Sequence, residues 1–195
     1  MPVVMELPLS VMVPPHKLWT RDECALLEQV GVLDLDRYEL IGGELVEKMG
    51  KKGPHMRAVM RLVLWLRQVY GEAFVAQEPS VTMHPQDTPT SEPEPDAIVV
   101  NRSFFEIEGL AGPGDLRLVA EVSGATLAFD LTVKAGLYAR AGIAEYWVVD
   151  LQGRRVIVHR RPEAGRYLDV AAYAEDEFVA TLGAPEASIR VADLF

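Results

Sequence analysis

LVAEVSGATLAFDLTVKAGLYARAGIAEYW, residues 118–147, decides how this chain is read. It opens as an apolar strand that Glu121 interrupts. A carboxylate on a buried strand is costly to desolvate unless a cation or a hydrogen-bond donor compensates it, so either the strand end is open to solvent or Glu121 has a partner. DLTVKAGLYARAG, from Asp130, takes helical spacing, and Gly142 ends that helix before a second apolar strand, AEYWVVD. Within the helix, Asp130, Lys134 and Tyr138 stand at i, i+4 and i+8 along one face. That stripe either aims at the strand or is a solvated Asp130–Lys134 pair worth a few tenths of a kcal/mol.

Working outward, PDAIVV places Asp96 at the head of another apolar strand. If the two strands are neighbours, Asp96 and Glu121 converge. Paired carboxylates suit a hard divalent cation, Mg²⁺ or Mn²⁺, that prefers oxygen ligands and keeps waters for a phosphate substrate. Upstream, Thr20 with Glu23 forms a capping box for a short helix ended by Gly31. RYELIGGELVEK reads as a hairpin turning at Gly42 and Gly43. GPHMRAVMRLVLWLRQVY predicts a long amphipathic helix with Met56, Val59, Met60, Val63, Leu64 and Leu66 on its apolar positions. The proline-rich HPQDTPTSEPEP is a connector, RRVIVHRR pairs with AEYWVVDL through a QGR turn, and short strands fill the tail.

The chain has 195 residues, 49% of them apolar, enough for one well-buried domain. We expect an N-terminal arm and short helix over 1–36 and one compact unit over 37–195. The single cysteine, Cys24, excludes an intramolecular disulfide framework and fits a reducing cytoplasm. No apolar run is long enough and free enough of charge to span a bilayer. A formal charge of −10 disfavours a broad nonspecific nucleic-acid surface. Two basic runs remain as local patches: Lys48, Lys51, Lys52, Arg57 and Arg61, and Arg154, Arg155, Arg160 and Arg161. His16, His84 and His159 read as surface residues.

YELIGGELVE, an isolated His55 opening the next helix, EPDAIVV and EVSGATLAFDLTVKAGLYARAGIAEYWVVD together resemble the Uma2-type endonuclease family of the PD-(D/E)XK nuclease superfamily. The resemblance runs from about Arg37 to His159, in order. It implies an α/β (α+β) fold, a restriction-endonuclease-like central mixed β-sheet flanked by helices. It implies a metal-dependent endonuclease hydrolysing DNA phosphodiester bonds, with Mg²⁺ or Mn²⁺ on Asp96 and Glu121. The usual superfamily lysine, two residues after the glutamate, is replaced by Ser123. The resemblance moves that role to Lys134 on the following helix, and it adds Glu44 as a further site acid. His55, Ser123, Asp130 and Tyr138 are accessory candidates. DNA is the implied partner. Together with the apolar surface of the N-terminal arm and the long helix, the advantage of two sites for cutting a duplex predicts a homodimer. Gly124 and Ala125 stand where relatives carry polar residues, which keeps a catalytically degenerate interaction protein in view, as does a phosphodiesterase acting on small substrates.

Overall fold

The computed structural model describes residues 15–48 and 53–195. The N-terminal arm over 1–14, and Lys51 and Lys52 of the first basic run, lie outside the described residues. Arg21–Gln29 forms α1, and its capping box is made: Thr20 Oγ1 accepts from the Glu23 N–H at 3.2 Å, while the Glu23 carboxylate accepts from the Thr20 N–H at 3.0 Å. β1 (Tyr38–Ile41) and β2 (Glu44–Glu47) make the expected antiparallel hairpin. Its turn needs glycine, because Gly42 and Gly43 take φ of 60° and 85°. A β-carbon on Gly43 would also stand 2.8 Å from the Leu18 side chain.

The long helix α2 (Gly53–Tyr70) buries Ala58, Val59, Leu62, Val63 and Leu66. Met56, Met60 and Leu64, placed on the apolar face by the sequence, are instead 50%, 56% and 53% exposed. Apolar residues surround most of this helix, so their spacing does not fix its rotation. The row of smaller and branched side chains lies closest to the sheet.

Six strands of the described residues form that sheet, in the order β3 (Val75–Gln77), β4 (Ala97–Val100), β5 (Leu116–Ser123), β6 (Glu145–Asp150), β7 (Arg155–Glu163) and β8 (Arg166–Tyr173). Every neighbouring pair is antiparallel except β5 and β6, which run parallel. A parallel pair needs a crossover, and the helical segment α3 over 127–140 supplies it. Two short strands, β9 (Phe178–Ala180) and β10 (Ser188–Arg190), pair separately.

Helices cover both faces, which explains why the central strands read as near-continuous apolar runs. On β5, Leu118, Ala120 and Val122 pack towards α2 with Trp147 and Val149 of β6. Val119 packs on the α3 side with Tyr146 and Val148. Each fully buried leucine or valine here contributes roughly 1.5–3 kcal/mol of transfer free energy. By the same alternation Glu121, two residues beyond Val119, faces α3. His159, read as a surface residue, is 4% exposed. It alternates with Val158 on β7 and packs between Tyr146 and Tyr167, where desolvation lowers its pKa. No helix among the described residues is long and apolar enough to cross a membrane.

Candidate active site

β4 and β5 are neighbours, with Ala97 opposite Ala120. Asp96 stands just ahead of β4, and its Oδ2 accepts the Val122 N–H at 2.6 Å. The carboxylates of Asp96 and Glu121 are thereby brought to one end of the sheet. Glu121 is 5% exposed, and its Oε1 accepts from Lys134 Nζ at 2.9 Å and from the Tyr138 hydroxyl at 2.9 Å.

The helix delivering these donors is not regular. α3 comprises an α-turn at Leu127–Phe129, a π turn at Asp130–Lys134 and an α-helix at Ala135–Arg140. In the π turn the Ala135 N–H reaches back to the Asp130 carbonyl, which also accepts from the Tyr146 hydroxyl at 3.1 Å. Single π turns of this kind occur frequently at functional sites. The i, i+4 pair of Asp130 with Lys134 does not form. Asp130 instead accepts from Thr126 Oγ1 at 2.8 Å, and Ser123 Oγ lies 3.4 Å from that hydroxyl.

Lys134 also meets an acid that sequence reasoning missed. Its Nζ lies 2.8 Å from Glu39 Oε1 on β1, and Glu39 is 7% exposed. Glu44, the hairpin acid chosen from the sequence, is opposite Ile41 at the turn end and pairs with His16 at 3.1 Å, largely exposed. The structure therefore brings Asp96, Glu121, Lys134, Tyr138, Asp130, Ser123 and His55 to one end of the sheet and leaves Glu44 outside that group. His55, in the first turn of α2, sets Nε2 3.2 Å from Asp96 Oδ1. That contact raises its pKa, desolvation opposes the rise, and the charge of Glu78 adds to it.

A cavity of about 890 Å³ opens over these groups. Its wall carries eight carboxylates against Arg37, Lys48 and Lys134. Glu94 is one of them, held by Lys48 at 2.6 Å, and the Glu94 N–H donates to Glu39 Oε2 at 3.2 Å. Glu78 is another. Neither was singled out in the sequence, because both lie beside prolines or polar residues in connecting segments.

The electrostatics follow from three carboxylates sharing one buried lysine, with Asp96 beside Glu121. Burial works against the charge on Lys134, but Glu121, Glu39 and Asp130 outweigh it and hold its pKa above the ordinary lysine range. Burial raises Glu121 well above the carboxylate range; Asp96, Glu39 and Asp130 push it further and Lys134 only partly offsets them. Asp130 is raised for the same reason, burial first. Tyr138, buried against Glu121, is raised too. The cluster thus has an excess of negative charge. Glu121 Oε2 takes no hydrogen bond from the described residues, so a donor atom remains for a cation. No three His, Cys, Asp or Glu side chains among the described residues converge as a ready-made metal cage.

A mixed sheet covered by helices on both faces, with Asp96 and Glu121 brought to one end beside a buried lysine, makes a nuclease-like fold. The chain belongs to the Uma2 family, described as "putative restriction endonuclease", whose profile matches residues 25–192. Its fold is similar to the crystal structure of a putative nuclease belonging to DUF820 from Anabaena variabilis. That likeness has a TM-score of 0.66 at 18% identity, covering 90% of this chain and 97% of the other. No curated protein matches.

Proposed function

We propose that this protein is a divalent-cation-dependent endonuclease that hydrolyses DNA phosphodiester bonds in the cytoplasm. The carrying observation is Lys134, 4% exposed and held between Glu121 and Glu39 at 2.9 and 2.8 Å, in the same cavity as Asp96. The donor set fits a hard cation: it is all oxygen, over-negative, and includes the unpaired Glu121 Oε2. Asp96 and Glu121 would hold Mg²⁺ or Mn²⁺, which keeps several waters and needs no full protein cage; when bound, it polarises the phosphate and acidifies a water.

Lys134 is a charge stabiliser and a positioning group, not a base, because its carboxylate neighbours keep it protonated. Two of its three N–H donors are used on Glu121 and Glu39, and the third is available to a phosphate oxygen. Asp130 lines the cavity, and burial raises its carboxyl above the usual range, which makes its carboxylate a stronger base for the proton of the attacking water. Tyr138, fully buried, fixes Glu121 by donating to its Oε1.

A second reading, a phosphodiesterase for small substrates, draws support from the acidic wall and from a volume within the usual range for small-molecule pockets. The degenerate interaction protein has less to recommend it. A buried ion cluster without use is commonly replaced by apolar packing at no loss of stability. The test is Mg²⁺-dependent cleavage of supercoiled plasmid beside hydrolysis of bis(p-nitrophenyl) phosphate, with Glu121→Gln as the blank. Plasmid cleavage lost in the blank supports the endonuclease. Hydrolysis of the small diester alone supports the second reading, and neither activity supports the third. A homodimer, offering two sites to one duplex, is proposed with it, and light scattering that gives a monomer mass at micromolar concentration rejects it.

A further inference from the structure

The two basic runs differ in a way the sequence does not show. In the second, every arginine is neutralised within the chain: Arg154 pairs with Glu175, Arg155 with Asp150 at 2.9 Å, Arg160 with Glu145 at 2.6 Å, and Arg161 with Asp169 at 3.1 Å. In the first run Lys48 pairs with Glu94 at 2.6 Å. Arg57 and Arg61 are exposed and have no acidic partner among the described residues.

Both sit on the solvent side of α2, one turn apart, beside Met60 and Leu64. α2 carries no acidic residue over its whole length. The same helix reaches the cavity, because His55 in its first turn contacts Asp96. The Arg57 guanidinium is folded back towards that end, with Nη1 3.1 Å from where a β-carbon on Gly53 would stand. In a chain of net charge −10, this is a cationic ridge leading to an acidic cavity.

We propose that this ridge of α2 is the track that holds the sugar–phosphate backbone of the nucleic acid whose scissile bond enters the cavity. This rests on the endonuclease reading and assigns it a binding surface. Charge complementarity selects the occupant. A second copy of α2 would bring arginines against arginines with no acid between them, whereas a polyanion meets both. Arg57 and Arg61 are separated by about 6 Å along the helix, a match to roughly two steps of 3.4 Å between phosphates of one strand. The apolar neighbours leave the guanidinium groups without competing partners.

The test is fluorescence anisotropy of a labelled 20-base-pair duplex with the full-length protein, in Ca²⁺ to prevent cleavage, over 50–200 mM salt. Each phosphate contact contributes about 0.9 to the slope of log K against log salt concentration. Arg57→Ala/Arg61→Ala should therefore lower the slope by about 1.8, so the gap in affinity to the parent narrows about 12-fold across that range. Arg154→Ala/Arg161→Ala, which removes paired arginines, should leave the slope at the parental value. A parental slope for the Arg57/Arg61 variant overturns the proposal. So does failure of the parent to bind duplex, or a shift from dimer to monomer mass on Met60→Glu with the slope unchanged. Arginine-dependent binding by a parent that cleaves nothing sustains the track and removes the endonuclease reading.

Discussion

Replacing Lys134 by methionine keeps the length of the side chain and removes its charge, and this variant tests the cluster most directly. The ammonium is 4% exposed with carboxylate oxygens at 2.8 and 2.9 Å, so its loss strands Glu39 and Glu121 in a site they cannot leave. Breaking a buried pair from one side costs about 3–5 kcal/mol, out of roughly 5–15 kcal/mol of total stability. For a chain of this size each kcal/mol moves Tm by about 2–4 °C, so a fall of about 6–20 °C is expected at pH 8 with chelator present. The deficit should shrink towards pH 5. Glu121 and Asp130 have folded pKa values above their unfolded ones, so the folded state holds protons more tightly, and stability is lost as pH rises from the unfolded value through the folded one. Lys134 lowers both carboxyl groups, and removing it lifts them further and steepens that loss. Asp96, Glu39 and His55 face the same space. The lysine itself stays charged throughout this window, since its own pKa is raised and the stability it contributes declines only on the alkaline side. Circular dichroism melts at both pH values read the effect, and Lys134→Met/Glu121→Gln should regain part of the loss. A single variant melting within 2 °C of the parent at pH 8, or with an equal deficit at pH 5, refutes the buried cluster.

Other substitutions separate the site from its surroundings. Glu39→Gln should lower plasmid cleavage by about tenfold or more while Glu44→Gln stays within twofold, because only Glu39 touches Lys134; initial nicking rates measure both. Saturating Mg²⁺, at 100 times its Kd, should stabilise the parent by about 2.7 kcal/mol and leave Glu121→Gln unmoved in the same melts. Glu145→Ala removes a fully buried carboxylate that accepts from Trp147, Arg160 and the Leu182 N–H. It should cost about 3–5 kcal/mol in urea unfolding without weakening Mg²⁺ binding. Leu62→Ala should cost about 2–5 kcal/mol and Met60→Ala no more than about 0.5 kcal/mol, which checks the rotation of α2.

The strands, their apolar faces and the meeting of Asp96 with Glu121 were legible because each rests on a short-range pattern: alternation, a turn, an acid breaking an apolar run. Glu39 carries that same signal, standing between Tyr38 and Leu40 as Glu121 stands between Ala120 and Val122. The hairpin motif points to Glu44 at the turn, whereas burial selects Glu39. Glu78 and Glu94 lie in connectors, where acids are ordinary and only tertiary placement distinguishes them. His159 could have been found from its alternation with Val158. The rotation of α2 could not, since apolar residues at Met56 and Met60 are as numerous as at Val59 and Val63, and the sheet alone decides which row it contacts.

Lys134 shows how a site can survive the loss of its usual strand position. Ser123, two residues after Glu121 on the same face of β5, is fully buried, and it joins Thr126 and Asp130 at the foot of α3. A lysine there would have to displace that foot. Placing the cation on the helix requires two things of α3 that a regular helix does not give together: Asp130 turned towards Thr126, and Lys134 turned towards Glu121 and Glu39. Residues four apart on an α-helix stay within reach of each other and would close into a local ion pair, the surface pairing that the spacing allowed. The π turn, with the Ala135 N–H on the Asp130 carbonyl, changes the angular offset between the two side chains, and the Tyr146 hydroxyl, on the same carbonyl at 3.1 Å, hydrogen-bonds the backbone where that turn opens. Tyr146 is fully buried on β6, in the strand pair parallel to β5. The sheet that presents Glu121 therefore also supports the irregularity that directs Lys134 to it, which couples the position of the lysine to the register of the two central strands.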